Sequence, residues 1–131
     1  MATTELTNID VEGITTEAGP FPSATRAGDL VFVSGMVARD ETKALVGGDD
    51  VYAQTVQTLK NLQRVLAAYN LGLDAVATTT VYITDASMAG EYNRAWTDTF
   101  GAHRPARATV VAPLLAPEIL VEVQATAWAG K

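Results

Sequence analysis

An arginine and a glutamate stand in two apolar, strand-like runs near the end of the chain. The first run is Pro105-Ala106-Arg107-Ala108-Thr109-Val110-Val111-Ala112 and the second is Leu120-Val121-Glu122-Val123. A guanidinium is always charged and is costly to bury without an anionic partner. A carboxylate that loses water has its pKa raised, which suits it to take and return protons near neutral pH. Glu122 follows Arg107 by fifteen positions. If both runs form one antiparallel hairpin centred between Leu114 and Leu115, Arg107 lies opposite Glu122, within reach of it. Two readings are then open. One is a structural ion pair between strands. In the other, Arg107 is a fork that grips a substrate carboxylate with two parallel hydrogen bonds, and Glu122 handles protons or holds a water. A slip of one residue would send the two side chains to opposite faces of the sheet.

Few other groups offer chemistry. The chain has no cysteine, which excludes disulfides, thiol catalysis and Cys-ligated zinc. His103 is the single histidine and reads as an exposed loop residue. Ser34 has no recognisable histidine partner and is a poor nucleophile. Asp49 and Asp50 read as helix caps, since no His or carboxylate cluster accompanies them; no metal site is expected. Gly47-Gly48 lacks the lysine and spacing of a phosphate loop.

The elements that must position these residues follow from pattern. Residues 1–13 are polar and unpatterned, and their tip is expected to be mobile. Gly19-Pro20-Phe21-Pro22-Ser23 is a turn or extended segment. Residues 30–35 read as a strand covered on both faces, and 39–49 as an exposed charged loop. Asp49 or Asp50 caps a helix running to about Tyr69, with Tyr52, Val56, Leu59, Leu62, Leu66 and Tyr69 as its buried stripe. Asn70-Leu71-Gly72 stops it. Residues 75–84 are β-rich. A second helix, capped by Asp85 or Ser87, turns Met88, Tyr92, Ala95, Trp96 and Phe100 inward. Strands near 106–112 and 119–128 close the chain, and Trp128 is a candidate subunit contact. The expected order is strand, strand, helix, strand, helix, strand, strand: one α+β domain over residues 1–131, with both helices on one face of a mostly β sheet. The other face would be bare, and oligomerisation is the economical way to cover it.

The composition narrows the function. Nine Lys and Arg against fifteen Asp and Glu give a net charge of −6, which argues against nucleic acid as a partner. A local positive pocket in such a protein would focus on a small acid. No apolar run reaches the length of a membrane span, and the start of the chain does not read as a signal peptide. A soluble, cytoplasmic protein is the expectation.

Several of these segments together resemble the RidA family, also called the YjgF family, over residues 14–128. The resemblance rests on Gly19-Pro20-Phe21, on residues 27–35 from Ala27 to Gly35, on Gln54-Thr55, Asn61-Leu62 and Val65-Leu66, and on residues 79–85 from Thr79 to Asp85. Tyr92-Asn93 follows, and Pro105-Ala106-Arg107-Ala108 with Val121-Glu122-Val123 is its most specific part. The resemblance implies a chorismate-mutase-like α+β fold, a homotrimer with sites in the clefts between subunits, and no metal or organic cofactor. It implies hydrolysis of 2-aminoacrylate-type enamines and their imine tautomers to a 2-oxo acid and ammonia. By that similarity Arg107 binds the substrate carboxylate. Glu122 orients the attacking water, helped by the backbone carbonyl of Thr109, and Ser34 and Asn93 are polar site positions. Phe21 stands where active members commonly carry tyrosine, and Met36 where glutamine is common; Pro113 and Val123 also depart from the usual pattern. Three further readings follow: a pathway-specific deaminase of aminomuconate type, a non-enzymatic small-acid-binding or chaperone-like member, and a scaffold in which Arg107 and Glu122 are only an ion pair.

Overall fold

The computed structural model describes residues 5–130. The expected mobile tip falls on residues 1–4, outside the described residues. From Leu6 the chain is already regular, because the segment read as unpatterned supplies an edge strand. The elements are β1 (Leu6–Ile9), β2 (Ala24–Ala27), β3 (Leu30–Met36), α1 (Val51–Ala67), β4 (Val76–Ile83), α2 (Ala89–Phe100), β5 (Ala106–Val111) and β6 (Val121–Trp128). The α+β layout holds, with one more strand before α1 than the pattern predicts.

Local chemistry sets the helix ends. The Asp50 carboxylate accepts from the Tyr52 and Ala53 N–H groups at 2.9 and 3.2 Å, satisfying two donors that α1 leaves free. Asn70 takes a left-handed φ of 59° just past α1, and the Leu71 N–H returns to the Leu66 carbonyl at 3.0 Å. Asp85 caps a short 3-10 turn ahead of α2 by accepting from the Ser87 N–H at 2.8 Å.

The buried face of α1 differs from the predicted stripe. Leu59, Leu62, Val65 and Leu66 are in the core, but so are Gln54, Thr55, Thr58 and Asn61. The two threonines donate to carbonyls of their own helix, Val51 and Gln54, at 2.7 and 2.8 Å. Gln54 and Asn61 instead reach out to loops, with consequences for the site below.

The six strands form one mixed sheet in the order β1-β2-β3-β6-β4-β5. The predicted β5–β6 hairpin does not form. β6 lies between β3 and β4 and is antiparallel to both, while β5 pairs in parallel with β4 at the edge. The crossover through α2 makes the parallel pair possible. The central slot goes to the strand with the cleanest alternation: Val121, Val123, Ala125 and Ala127 are fully buried, against half-buried Glu122, Gln124 and Thr126 between them.

Both helices pack on the face that carries Val31, Val33, Val81, Ile83 and the buried side of β6. The opposite face is open in the single chain. β3 is therefore covered on one side only, correcting the two-sided expectation: Val31 and Val33 are buried, whereas Leu30 and Phe32 are each 41% exposed. Leu6, Val110 and Trp128 extend this open apolar face.

Candidate functional site

The six residues singled out above separate into two groups on opposite faces of the sheet. Arg107 is paired with Thr79 of β4, whose side chain is buried on the helix side, so Arg107 leans toward α2. Glu122 is paired with Tyr82 and alternates with the buried Val121 and Val123, so it points to the open face. The hairpin register is thus overturned, and with it the intrachain ion pair. Among the described residues the salt bridges are Arg26–Asp29, Arg39–Glu118 and Arg94–Glu91, and neither Arg107 nor Glu122 takes part. Nor is Arg107 a buried charge: all six residues of β5 are exposed because it is an edge strand.

On the helix side, α2 prepares the guanidinium. The Arg107 Nη2 donates to Asn93 Oδ1 at 2.7 Å. Its carbon lies 4.7 and 5.1 Å from the Tyr92 and Trp96 ring centres, an electrostatically favourable stack. The Tyr92 hydroxyl is hydrogen-bonded to Thr109 Oγ1 at 2.9 Å, which ties the next inward position of β5 to the same helix. Asn93 and Thr109 therefore act on Arg107 and its platform. A cavity of about 430 Å³ opens beside Asn93, Trp96, Phe100, His103 and Arg107. His103 is not the exposed loop residue expected: its half-buried ring donates Nε2–H to the Val76 carbonyl at 2.7 Å. Trp96 and Phe100 are core residues, as their spacing predicts.

On the other side, Glu122 sits in a cavity of about 480 Å³ with Phe21, Ser34, Gly35 and Arg39, walled by Leu114, Leu115 and Ile119. Burial pushes the Glu122 carboxyl above the ordinary glutamate value of 4.5. The backbone makes room for it. Two residues of β3, Ser34 and Gly35, occupy the stretch opposite the single Gln124 of β6, a bulge between the Val33–Ala125 and Met36–Val123 pairs. Gln124 Nε2 donates to the Val33 carbonyl at 3.1 Å inside this irregular stretch. Gly35 leaves room by close approach: a Cβ built on it would collide with the Glu122 carboxylate, which would have to move aside. Ser34 is committed elsewhere, its hydroxyl donating to the Pro22 carbonyl at 2.7 Å. That bond fixes the turn bearing Phe21, which is 54% exposed at the cavity rim.

Three residues at the site, two that position its walls and one that lines it, were not assigned a role from sequence. Gln54, fully buried, donates to the Gly48 and Glu118 carbonyls at 2.7 and 2.9 Å and accepts from the Leu120 N–H at 2.9 Å. It thereby pins the 113–120 segment, the apolar wall of the Glu122 cavity. Asn61 donates to the Val37 and Arg39 carbonyls, both at 2.8 Å, and holds the opposite wall. Their signal was polar residues on a helix face otherwise apolar. Arg39 sat in a charged loop with no pattern to mark it. Among the described residues no cluster of three or more His, Asp or Glu side chains has the arrangement of a metal site. Among the described residues, no helix is long and apolar enough to cross a membrane.

The family described as Endoribonuclease L-PSP matches residues 14–129. A RutC family protein of Pyrococcus horikoshii is 31% identical over 110 residues, covering 84% of this chain and 87% of that protein. A conserved Rid family protein of Yersinia pestis, of unknown function, superposes with a TM-score of 0.87 at 28% identity, covering 95% of this chain and 99% of its own. RidA from an Antarctic Psychrobacter superposes with a TM-score of 0.84 at 25% identity, covering 93% and 98%.

Proposed function

The chain belongs to the endoribonuclease L-PSP family, which includes the YjgF and Rid proteins, and from that premise we propose that it hydrolyses small 2-imino and 2-enamino acids to 2-oxo acids and ammonia. Family membership supports a small-molecule deaminase or a related role. The observation that carries the finer reading is Glu122: a half-buried carboxyl, raised by burial and set in an apolar-walled cavity of substrate size.

Glu122 and Arg107 face away from each other in one subunit, so the complete site is assembled between two copies of a trimer. One copy supplies Arg107, oriented by Asn93 and its aromatic platform; its neighbour supplies Glu122, Gly35 and Phe21. The iminium carbon is already electrophilic, so proximity and a base suffice. Glu122 takes a proton from water as the oxygen bonds to C2, and the C=N electron pair moves onto nitrogen. The glutamic acid then returns that proton to nitrogen. The C–N bond breaks, the hydroxyl oxygen closes the carbonyl, and its proton leaves with the departing ammonia as ammonium. Iminium plus water gives oxo acid plus ammonium. Phe21 brings no hydroxyl to this scheme and shapes the cavity by its ring alone. A net charge of −6 weighs against RNA as the substrate.

The test is release of ammonia and pyruvate from 2-aminoacrylate generated in situ. Wild-type protein is expected to accelerate it, and Arg107→Ala and Glu122→Gln to abolish the acceleration. Equal rates for all three would overturn the reading, and stoichiometric binding of 2-oxo acids without turnover would favour a small-acid-binding protein.

A further inference from the structure

The cavity that holds Glu122 contains a second charged group that the imine chemistry does not use. Arg39 lines it together with Glu122, and the other side chains facing it are mainly apolar. Its backbone is held from α1, since its carbonyl accepts from Asn61 Nδ2. Its side chain, 28% exposed, is held loosely. One nitrogen donates to the Lys43 carbonyl at 3.3 Å, and another lies 3.5 Å from a carboxylate oxygen of half-exposed Glu118. A single solvent-facing contact of that length contributes little to stability. Five N–H donors in a planar fork are thus largely uncommitted, in a cavity of about 480 Å³.

The two cations divide the ligand between them. Arg107 is the fork for the carboxylate next to the reacting carbon, and it comes from the neighbouring subunit. Arg39 lies in the Glu122 half, on the same chain as the base. A monocarboxylic three-carbon imine would leave Arg39 facing an empty, apolar-walled volume. An anionic group at the far end of the substrate would satisfy it. We propose that Arg39 is a specificity-determining residue that binds a second, distal carboxylate, so that the preferred ligands are dicarboxylic 2-imino acids. This rests on the deaminase reading for turnover, but the binding preference is independent of it.

Two measurements on the full-length protein separate these claims. In the first, imines are generated from L-glutamate and from L-alanine by flavin oxidases in the presence of catalase, and kcat/KM is compared. The dicarboxylic imine is expected to be preferred about tenfold or more, the range of one charged hydrogen-bonding contact. Arg39→Leu is expected to erase that ratio, whereas a general disturbance of the fold would lower both rates alike. Glu118→Gln removes the competing carboxylate and should keep or raise the ratio. A Glu118→Gln ratio that falls as far as that of Arg39→Leu would show that Arg39 is only a latch for the 113–120 segment, and would overturn the proposal. In the second, calorimetry compares 2-oxoglutarate with 2-oxobutyrate. Tighter binding of 2-oxoglutarate, lost in Arg39→Leu, supports the proposal even if no imine is turned over, in which case only the deaminase reading fails. Turnover with no preference for the second carboxylate in either measurement overturns the proposal and leaves the deaminase standing.

Discussion

The two sides of the sheet carry the two charged groups of the proposed chemistry in opposite settings. On the helix side Arg107 stands on an exposed edge strand, steadied by Asn93 and two aromatic rings. On the open side Glu122 is recessed on a central strand, against a bulge and an apolar wall. The cation is presented outward and kept hydrated; the carboxylate is withdrawn and partly stripped of water. A fork that grips a carboxylate needs fixed direction more than burial. A base needs burial, because that is what raises its proton affinity. Placing both on one face of one chain would let them neutralise each other.

This contrast is breakable in order of expected effect. Glu122→Gln removes the base while keeping shape, and kcat should fall about 10²–10³-fold in the 2-aminoacrylate assay. An unaffected kcat would remove Glu122 from the chemistry. Next, Arg107→Ala and Glu122→Gln, each inactive, should complement when unfolded and refolded together in equal amounts. Random assembly gives about a quarter of the sites both native groups if they come from different subunits. No recovery would mean that the two halves do not meet between copies. Gly35→Ala pushes on the Glu122 carboxylate, and should cost about tenfold in kcat/KM with little change in thermal stability. A wild-type rate would show that the bulge does not position the base.

The smallest effects concern stability. Arg107→Ala should cost less than about 1 kcal/mol in a thermal or urea melt, since only exposed contacts are lost. A loss near the several kcal/mol of a broken buried pair would restore the ion-pair reading. For Glu122 the sign follows from its raised pKa. The folded state binds the proton more tightly than the unfolded state, so this group's contribution falls as pH rises above the ordinary value of 4.5. Glu122→Gln should therefore gain stability relative to wild type as pH is raised from about 4.5 toward 8. A difference in melting temperature that does not grow with pH would show that burial of Glu122 is not felt energetically.

Local features were legible in the residues. Asp50 capped its helix and Asn70 ended it, because these depend on the nearest few backbone groups. The two helices on one face and the bare apolar face followed from periodicity. The motifs around Arg107 and Glu122 drew attention to the two charged groups on which the proposed site is built, but not to their placement on opposite faces. His103 was misread because its partner, the Val76 carbonyl, lies 27 residues away. Gln54 and Asn61 stood out through the family resemblance and as polar residues on an apolar helix, and nothing along the chain said which loops they hold.

Residue types and their two-residue alternation established which side chains share a face within one strand. They could not say which strands are neighbours. The nearest strand in sequence to β6 is β5, and a short link favours a hairpin. Parallel pairing of β5 with β4 and the central burial of β6 decided otherwise. That choice put Arg107 and Glu122 on opposite faces and moved Arg39 from an anonymous loop into the cavity of Glu122. Strand order is settled by contacts tens of residues apart, made when the whole core closes, and so belongs to the tertiary structure alone.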